Sequence, residues 1–434
     1  MILFHSFIRI FALNKPPETT TMAKYKEYGY DIQNGKAIIP EWESEIKLEA
    51  FKDCKELKSI TIPPSVTKIW YRAFSGCESL TSISIPPSVT KIGDWAFSEC
   101  SCLASISIPP SVTKIGKEAF YGCKSLTSIT IPPSVKEIKR GIRGAAFSSC
   151  SSLMSLTVSK DNKVYDSRED CNAIIHTESN TLISGCKNTI IPPSVTEIGP
   201  RAFYGCSSLT SITIPPSVTK IGEYAFYNCS SLTSISIPPS VTEIEGSAFS
   251  GCSSLTSITV SKDNKVYDSR EDCNAIIYTE SNTLISGCKN TTIPPSVTKI
   301  EYYAFSYCSS LTSITIPPSV TEIEGSAFWG CKSLTSITIP PSVTEIGWHA
   351  FSGCSSLTSI SIPPSVKEIK GGIIGGTFSG CSSLTSISIP PSVTKIGESA
   401  FSGCTNLTEV RIPKGCNVEE YAFWDCPNVQ IIRY

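Results

Sequence analysis

Histidine, the side chain most often used in acid–base catalysis and zinc binding, occurs three times in this chain, as His5, His176 and His349. His5 lies in an apolar N-terminal segment, and His176 is replaced by Tyr278 in a second copy of its own segment. His349 stands at a position that varies from one sequence repeat to the next. None of them has the fixed partners that a catalytic triad or a zinc site needs. The sequence therefore predicts no enzyme, and no metal or other cofactor.

Cysteine is the second chemically reactive residue type, and the chain contains twenty of them. Most end the motif AF-x-x-C and recur 23 residues apart, as in the series Cys54, Cys77, Cys100 and Cys123. One cysteine per repeat, always at the same phase, stacks each thiol on the next with parallel Cα–Cβ vectors, whereas a disulfide needs converging vectors. We therefore predict reduced, buried thiols that act as small apolar side chains.

Two near-identical segments interrupt the repeat at 160–189 and 262–291, and both contain the acidic sequence KDNKVYDSRED. This sequence lacks the glycine and the terminal glutamate of an EF-hand loop, so we predict a solvated edge and no calcium site. Each segment also contains CNAII and TLISGC, separated by polar turn residues. This pattern predicts two β-hairpin islands that stand off the main fold.

The predicted hairpins place cysteines opposite each other. A turn centred on Glu178-Ser179 aligns Cys171 with Cys186, and the second segment repeats the arrangement. In an exported protein, the pairs Cys171–Cys186 and Cys273–Cys288 could therefore form disulfides. Two shorter glycine-rich inserts, at 141–144 and 371–376, lack the strand-to-helix context of a phosphate-binding loop and are predicted to be simple bulges.

The repeating unit specifies the elements that carry these side chains. From Leu209 to Ile214 apolar and polar residues alternate, which predicts a short strand with one buried face. Two prolines end this strand, and the segment around Ala225-Phe226 is predicted to form a helical turn that buries both residues. A unit of this length cannot bury its own apolar face, so the units must stack into a solenoid.

The order LxxIxI followed by P-x-S-V-x-x-I-G-x-x-A-F-x-x-C resembles the BspA-like class of leucine-rich repeats, from about Ile38 to Tyr434. The resemblance implies an α/β repeat solenoid, a right-handed leucine-rich-repeat-type superhelix. It would have a parallel concave β-sheet, short helical turns on the convex side and the two β-hairpin islands. Known members include surface antigens and adhesins that bind host matrix or other cells. By this resemblance, the chain is expected to be a non-enzymatic interaction protein of the surface-antigen or adhesin type.

The repeat also sets the expected domain boundaries. Residues 1–37 are predicted to be a leader or cap that is partly disordered, and 38–434 a single solenoid with a C-terminal cap at 412–434. The segment MILFHSFIRIFAL is a weak candidate for a signal peptide, and either Met1 or Met22 could be the true start. By resemblance the protein is placed at the cell surface or outside the cell. Without a functional signal it would be cytoplasmic.

Comparison of the repeats within the chain indicates where a partner could bind. Large aromatic residues concentrate before and after the AF pair, where they could form an exposed stripe of interface anchors, although they could equally shield the core. The candidates are Trp70, Tyr71, Trp95, Tyr224, Tyr227, Tyr303, Trp329 and Trp348. The residue before the buried Ile is Lys or Glu in successive repeats, and we predict a solvated charge ladder of little energetic weight.

Composition limits the remaining function classes. A net charge of −1 argues against nucleic acid as a partner, and no run of eighteen apolar residues predicts a membrane span. The expected partners are proteins or cell-surface and matrix ligands, bound by a monomer. An intracellular scaffold for protein–protein interaction is the alternative, because it suits free thiols. A remote alternative is a solenoid whose Ser and Thr array orders water or ice.

Overall fold

The computed structural model describes residues 24–434, which form a β-solenoid of about 17 turns, here called coils. The candidate signal segment, the alternative starts Met1 and Met22, and His5 lie outside the described residues. The described chain begins with a short α-helix, Lys24–Glu27, and a strand, Ile32–Gln33. Tyr25 and Tyr30 of this segment stack on Phe51, with ring centroids 6.1 and 5.4 Å away, and so cover the first coil.

The LxxIxI segments form the first of two parallel strand ladders. Neighbouring strands pair in register from coil to coil, as Ile337 pairs with Ile360, because every coil repeats the same spacing of apolar residues. The buried Ile of each strand alternates with exposed Ser or Thr. The strands are Lys36–Ile38, Ser59–Thr61, Ser82–Ser84, Ser105–Ser107, Ser128–Ile131, Ser155–Val158, Ser234–Ile237, Ser257–Val260, Ser313–Thr315, Ser336–Thr338, Ser359–Ser361, Ser386–Ser388, Glu409–Ile412 and Gln430–Arg433.

The second ladder consists of two-residue strands that follow the Pro-Pro turn. Each begins with a polar, usually charged, residue, and the Ile or Val that follows points towards the core. These strands also pair in parallel, as Lys91 with Lys114. They are Glu45–Ile46, Lys68–Ile69, Lys91–Ile92, Lys114–Ile115, Glu137–Ile138, Glu197–Ile198, Lys220–Ile221, Glu243–Ile244, Lys299–Ile300, Glu322–Ile323, Glu345–Ile346, Glu368–Ile369, Lys395–Ile396 and Asn417–Val418.

The AF segments form stacked turns, so the prediction of helical turns is wrong. Arg72 has a φ of 52°, in the left-handed region, and equivalent residues in other coils share this conformation. The Arg72 N–H donates to Asp94 O (3.0 Å), and the Phe74 N–H donates to Ala96 O (2.8 Å) of the next coil. These donors are therefore shared between coils and are not available to an α-helix. The other helical segments among the described residues are two 3₁₀ turns, Arg168–Asp170 and Arg270–Asp272.

A ladder of phenylalanine rings forms the centre of the core. Consecutive rings stack nearly parallel, as Phe74 on Phe97 with centroids 5.3 Å apart. The ladder runs through three segments, from Phe51 to Phe147, from Phe203 to Phe249 and from Phe305 to Phe423. The two long inserts separate these segments.

The two inserts are built into the stack and do not stand off it as islands. Strand Ala173–His176 pairs antiparallel with Thr181–Gly185, which in turn pairs in parallel with Glu197–Ile198 of the next coil. A further strand, Tyr165–Asp166, pairs with the other edge of Ala173–His176. Ile174 and Leu182 are fully buried, because both faces of the hairpin are apolar and each packs on a neighbouring coil. The second insert repeats this arrangement with Tyr267–Asp268, Ala275–Tyr278 and Thr283–Gly287.

Each insert fills only the sheet side of the solenoid. On the turn side, the Ser149 N–H donates directly to Tyr204 O across the insert, at 2.9 Å. Gly185 takes the place of a core phenylalanine, and a Cβ at this position would overlap the Phe203 ring. In the second insert Gly287 and Phe305 have the same relation. The three segments of the phenylalanine ladder are thus joined through glycine.

The shorter inserts and the last coil expose apolar side chains. The second glycine-rich insert forms a small antiparallel pair, Gly371–Gly372 with Gly375–Gly376, and exposes Ile373 at its tip. Ile142 is exposed at the corresponding place in the first insert. The final strand, Gln430–Arg433, is exposed along its whole length.

Candidate interaction surface

The eight aromatic candidates lie around the stacked turns, but they do not form an exposed stripe. Trp348 is exposed, with 41% of its surface accessible, and the other seven are half-buried. Their burial arises from contacts with one another and with the edges of neighbouring coils. Most of these aromatics therefore pack against side chains of their own chain.

In the N-terminal half, the aromatic candidates use their polar atoms within the chain. Trp70 Nε1 donates to the Glu45 carboxylate (2.7 Å), and Trp95 Nε1 donates to Glu118 (2.6 Å), whose side chain is fully buried. Tyr71 packs edge-on against Trp95 with ring centroids 5.2 Å apart. These residues anchor the turns of successive coils to one another.

In the C-terminal half, aromatic rings contact each other across several coils. Tyr227 stacks on Tyr204 at 4.8 Å and contacts Tyr307 at 6.2 Å, edge-on. Tyr307 in turn lies 4.8 Å from Trp329, measured between ring centroids. Tyr224 packs on Tyr227 and Tyr303 on Trp329, so both belong to the same cluster. Burial raises the pKa of the Tyr227 phenol, which therefore stays protonated at neutral pH.

An exposed apolar patch gathers around Trp348. It comprises Tyr302, Trp348, Ile373 and Ile374, from neighbouring coils, and we call it the Trp348 patch. Ile373 is 84% exposed and Tyr302 is 53% exposed. A Cβ on Gly372 would lie 2.7 Å from Trp348 Cζ2, so the insert backbone lies directly on the indole ring. A side chain at this glycine would push the hairpin away from Trp348.

The sequence does not predict Ile373 and Ile374 as members of this patch. The 371–376 insert was predicted to be a simple bulge, and its two isoleucines were not considered as anchors. The sequence feature that indicates an exposed apolar site is the pair Ile373-Ile374, which lies between glycines where the chain departs from its repeat. Its proximity to Trp348 depends on the fold, because the two lie in different coils.

The two histidines of the described residues, His176 and His349, form no ion pair within residues 24–434. Burial lowers the pKa of His349, which lies beneath the insert with its ring centroid 5.2 Å from that of Trp348. Among residues 24–434, its Nε2 has no hydrogen-bond partner. His176 Nδ1 is 3.0 Å from Ser179 Oγ in an exposed turn, and no carboxylate bonds to its ring among the described residues. Burial alone accounts for the His349 shift, since no charged group contributes to it.

The acidic stretch of the inserts is occupied by internal contacts. Asp166 Oδ1 accepts from Arg168 Nε at 2.8 Å, and Arg168 also donates to Asn180 and Ser194. Partial burial raises the pKa of Asp166, but the hydrogen bonds and charge of Arg168 outweigh it, and the net shift is downward. Within residues 24–434, no three side chains of His, Cys, Asp or Glu come together as a metal site.

The ladder cysteines are buried, and most donate a hydrogen bond. Cys100 Sγ donates to Phe74 O at 3.1 Å, one coil earlier, and the same bond recurs along the stack. The other donors in this series are Cys77, Cys123, Cys150, Cys229, Cys252, Cys331, Cys354, Cys381, Cys404 and Cys426. Cys102 alone is exposed among the twenty, all of which are free thiols.

The insert cysteines do not face each other as the sequence suggested. A bulge between Ile174 and Ile175 shifts the register so that Ala173 pairs with Gly185. Cys186 Sγ consequently approaches Asn172 O at 3.2 Å, and Cys171 Sγ approaches Ala173 O at 3.7 Å. The two sulfurs belong to different packing clusters, one on each side of the hairpin. Cys273 and Cys288 repeat this arrangement.

Comparisons with known proteins match the chain over most of its length. A family model described as a BspA type leucine rich repeat region matches residues 28–154, 178–276, 277–377 and 372–434. A leucine rich cell surface protein from Faecalibacterium prausnitzii A2-165 is 29% identical, with a TM-score of 0.50, over 93% of this chain and 92% of that chain.

Two further solved structures are similar to the chain with lower TM-scores. A leucine-rich repeat protein from Bacteroides ovatus is 29% identical over 93% of this chain and 97% of its own, with a TM-score of 0.41. The pneumococcal vaccine antigen PcpA is 17% identical over 93% of this chain and 86% of its own, with a TM-score of 0.39. The comparison with curated proteins gives no significant match. In residues 24–434, no helix has the length and apolar character to cross a membrane.

Proposed function

Because the chain belongs to the BspA-type leucine-rich repeat family, we propose that it is a non-enzymatic interaction protein of the surface-antigen or adhesin type. It would bind proteins on cell or matrix surfaces. The similarity over 93% of the chain to a protein named as a cell surface protein supports this role. So does the long stack of near-identical coils, since repeated faces allow weak contacts to add by avidity.

The observation that carries the proposal is the Trp348 patch. Exposed aromatic and aliphatic side chains that are grouped on a rigid support are typical anchors of protein interfaces. The patch lies on coils that are hydrogen-bonded to one another through two strand ladders. The backbone of the 371–376 insert packs against one face of the Trp348 indole. We propose that a partner protein covers Trp348 and Ile373 together.

The test is a pair of substitutions in the patch. Trp348→Ala with Ile373→Ser should weaken binding to plates coated with basement-membrane extract by at least about tenfold, because each large anchor is worth roughly 1–4 kcal/mol. Circular dichroism should stay unchanged and the melting temperature should fall little, because Ile373 is 84% exposed and Trp348 is 41% exposed.

The matched control uses another exposed tryptophan and the exposed isoleucine of the other short insert. Trp424→Ala with Ile142→Ser should leave binding unchanged, because these residues lie in other coils. If the control pair weakens binding and the Trp348 pair does not, the patch is not the binding site. If the unaltered protein fails to bind the extract above a casein-coated blank, the adhesin role itself is wrong.

An intracellular scaffold is the second candidate, and the twenty free cysteines favour it. Cysteines persist as thiols in reducing compartments, whereas exported proteins tend to oxidise them. A C-terminally tagged copy distinguishes the two roles. Protease added to intact cells should remove the tag of a surface protein and leave the tag of a scaffold.

A further inference from the structure

A column of charged side chains runs along the second ladder. Each strand of this ladder places its first residue towards solvent and its second towards the core, and the parallel registers stack the first residues on one another. We call this column the charged strip. In chain order it comprises Glu45, Lys68, Lys91, Lys114, Glu137, Glu197, Lys220, Glu243, Lys299, Glu322, Glu345, Glu368 and Lys395. In the two inserts, the neutral residues Thr181 and Thr283 join the same ladder.

Outside its three central coils, the charge pattern of the strip is antisymmetric about Lys220. One coil away on each side stand Glu197 and Glu243, and then come the two inserts, which have the same length and pairing. Beyond the inserts, every position on one side carries the charge opposite to its counterpart on the other side. The five counterpart pairs are Glu137 with Lys299, Lys114 with Glu322, Lys91 with Glu345, Lys68 with Glu368 and Glu45 with Lys395.

The strip contains like charges stacked one coil apart. Lys68, Lys91 and Lys114 form a basic triplet whose neighbours along the ladder are about 4.8 Å apart. Lys114 pairs with Glu137 at 2.6 Å, but Lys68 and Lys91 have no ion pair within the described part of the chain. Their ammonium groups lie over the Trp70 ring, at 5.6 and 5.0 Å from its centroid.

In the acidic triplet on the other side, each glutamate has a partly exposed lysine partner in its own chain, which is Lys299, Lys370 or Lys395. Glu322, Glu345 and Glu368 stand at the counterpart positions, and the Glu345 side chain is 66% exposed. Its single partner is Lys370, at 3.3 Å. Each triplet therefore presents exposed charge of one sign with the spacing of the coils. Two of the three lysines have no ion pair among residues 24–434, and each glutamate is held in one exposed ion pair, a contact of little energetic weight.

We propose that two copies of this chain associate side by side and antiparallel through the charged strip, about a two-fold axis at Lys220. In this arrangement the basic triplet of one copy faces the acidic triplet of the other, and the second half of the interface repeats the same contacts. At the centre the axis brings like charges together, Lys220 with Lys220 and Glu197 with Glu243, so the attraction comes from the five outer pairs. Each Lys220 is already neutralised by Glu243 and Glu245 of its own chain, at 2.9 and 2.7 Å. The inference is independent of the proposed function, and it replaces the expectation of a monomer.

The charges favour this alignment of the two copies over alignments that are shifted by one coil. A shift by one coil in one direction sets Lys68 against Lys395 and Glu137 against Glu322, which are like charges. A shift in the other direction sets Glu45 against Glu368 and Lys114 against Lys299. Exposed ion pairs are individually weak, so the charges determine register and encounter rate more than affinity. A strip about 70 Å long and about 10 Å wide would cover roughly 700 Å² per copy, close to a standard interface.

The first test is the oligomeric state of the full chain by sedimentation velocity. We expect a dimer at about 0.1 M NaCl that dissociates towards about 1 M NaCl, because the Debye length falls from about 10 Å to about 3 Å over this range. The net charge of −1 means that the two copies do not repel each other as whole molecules. A protein that stays monomeric at low salt up to about 100 µM, far above the Kd of a specific interface of this size, would overturn the proposal.

The second test reverses the charge of each triplet. The variant Lys68→Glu, Lys91→Glu, Lys114→Glu and the variant Glu322→Lys, Glu345→Lys, Glu368→Lys should each be monomeric, since like triplets then face each other. An equimolar mixture of the two variants should form a dimer, because every triplet of one variant again meets its opposite. Recovery in the mixture also shows that both variants are folded.

The matched control changes the net charge equally, away from the strip. Lys124→Glu, Lys187→Glu and Lys289→Glu are exposed substitutions that should leave the dimer intact. If the wild-type chain dimerises but the mixture does not, the triplets do not pair and the proposal is wrong. It is also wrong if either triplet variant dimerises alone as the wild-type chain does.

Discussion

At the scale of single residues, the ladder cysteines show why this position suits a thiol. The side chain is small and apolar enough for the core, and it donates to the carbonyl of the phenylalanine one coil earlier. Cys206 and Cys308 are the first ladder cysteines after the inserts, and neither makes this bond. The preceding coil of each has Gly185 or Gly287 in place of the phenylalanine.

Cys102 is the residue for which reactivity is easiest to predict. It is exposed, whereas burial raises the pKa of thiols such as Cys252, to about 12, and so suppresses the reactive thiolate. We expect Ellman's reagent to modify about one thiol per native chain near neutral pH, and most of the twenty after denaturation. Cys102→Ser should abolish the native reaction, and Cys252→Ser should leave it unchanged. Rapid native labelling of several thiols would contradict the packing described here.

At the scale of elements, the inserts join the stack through a buried asparagine and a tyrosine hydroxyl. In regular coils a serine hydroxyl donates to the Val carbonyl of the preceding turn, as Ser111 Oγ does to Val89 O at 2.7 Å. At the insert, Asn162 Nδ2 takes this role and donates to Val135 O and Pro132 O. Tyr165 Oη accepts from the Ile138 N–H, which would otherwise lose its ladder partner. Asn264 and Tyr267 repeat these contacts.

Removing Asn162 should therefore destabilise the first insert and its junction with the preceding coil. Asn162→Ala leaves two carbonyl groups and the N–H groups of Val164 and Tyr165 without their partner, which should lower the free energy of unfolding by about 1–3 kcal/mol. Asn264→Ala should cost about the same, and the two losses should add because the sites share no partner. Urea denaturation measures both. Asp161→Ala is the exposed control, and an equal effect there would show that the buried bonds are unimportant.

At the scale of the whole molecule, stability depends on many buried groups that must stay protonated. Burial raises the pKa of Cys206, Cys252 and Cys354 to about 12 and that of Cys171 to about 11, from an ordinary value of 9.0. Above pH 9 the unfolded chain therefore releases protons that the folded chain retains. Below pH 9 both states hold these protons, and the thiols have no effect on stability.

We consequently expect the solenoid to unfold in alkali. Each such thiol lowers the free energy of unfolding by about 1.4 kcal/mol per pH unit between its unfolded and folded pKa values, and many contribute together. Denaturation in the presence of a reductant should show constant stability from about pH 7 to about pH 8.5 and a steep loss above about pH 9. Unchanged stability up to about pH 10.5 would contradict the burial of the cysteine ladder.

The sequence by itself determined the repeat, the parallel strands and the residues that point inward. Ile, Leu, Phe and Cys recur at fixed phases, and each coil gives them the same neighbours, so the alternation within one coil is enough to assign the core. The family resemblance and the burial of the thiols rest on the same regularity. Coarse architecture and core membership were therefore predictable for most of the chain.

Contacts between coils were decided by the tertiary structure. The AF segment becomes a stacked turn because donors such as the Phe74 N–H bond to the next coil, which no pattern within one coil reveals. The exposure of Trp348 and the burial of Trp329 depend on which side chains neighbouring coils place beside them. The bulge after Ile174 likewise separates cysteines that a regular hairpin would have paired. Periodicity specifies the direction of a side chain, whereas its partner depends on the coil that stacks against it.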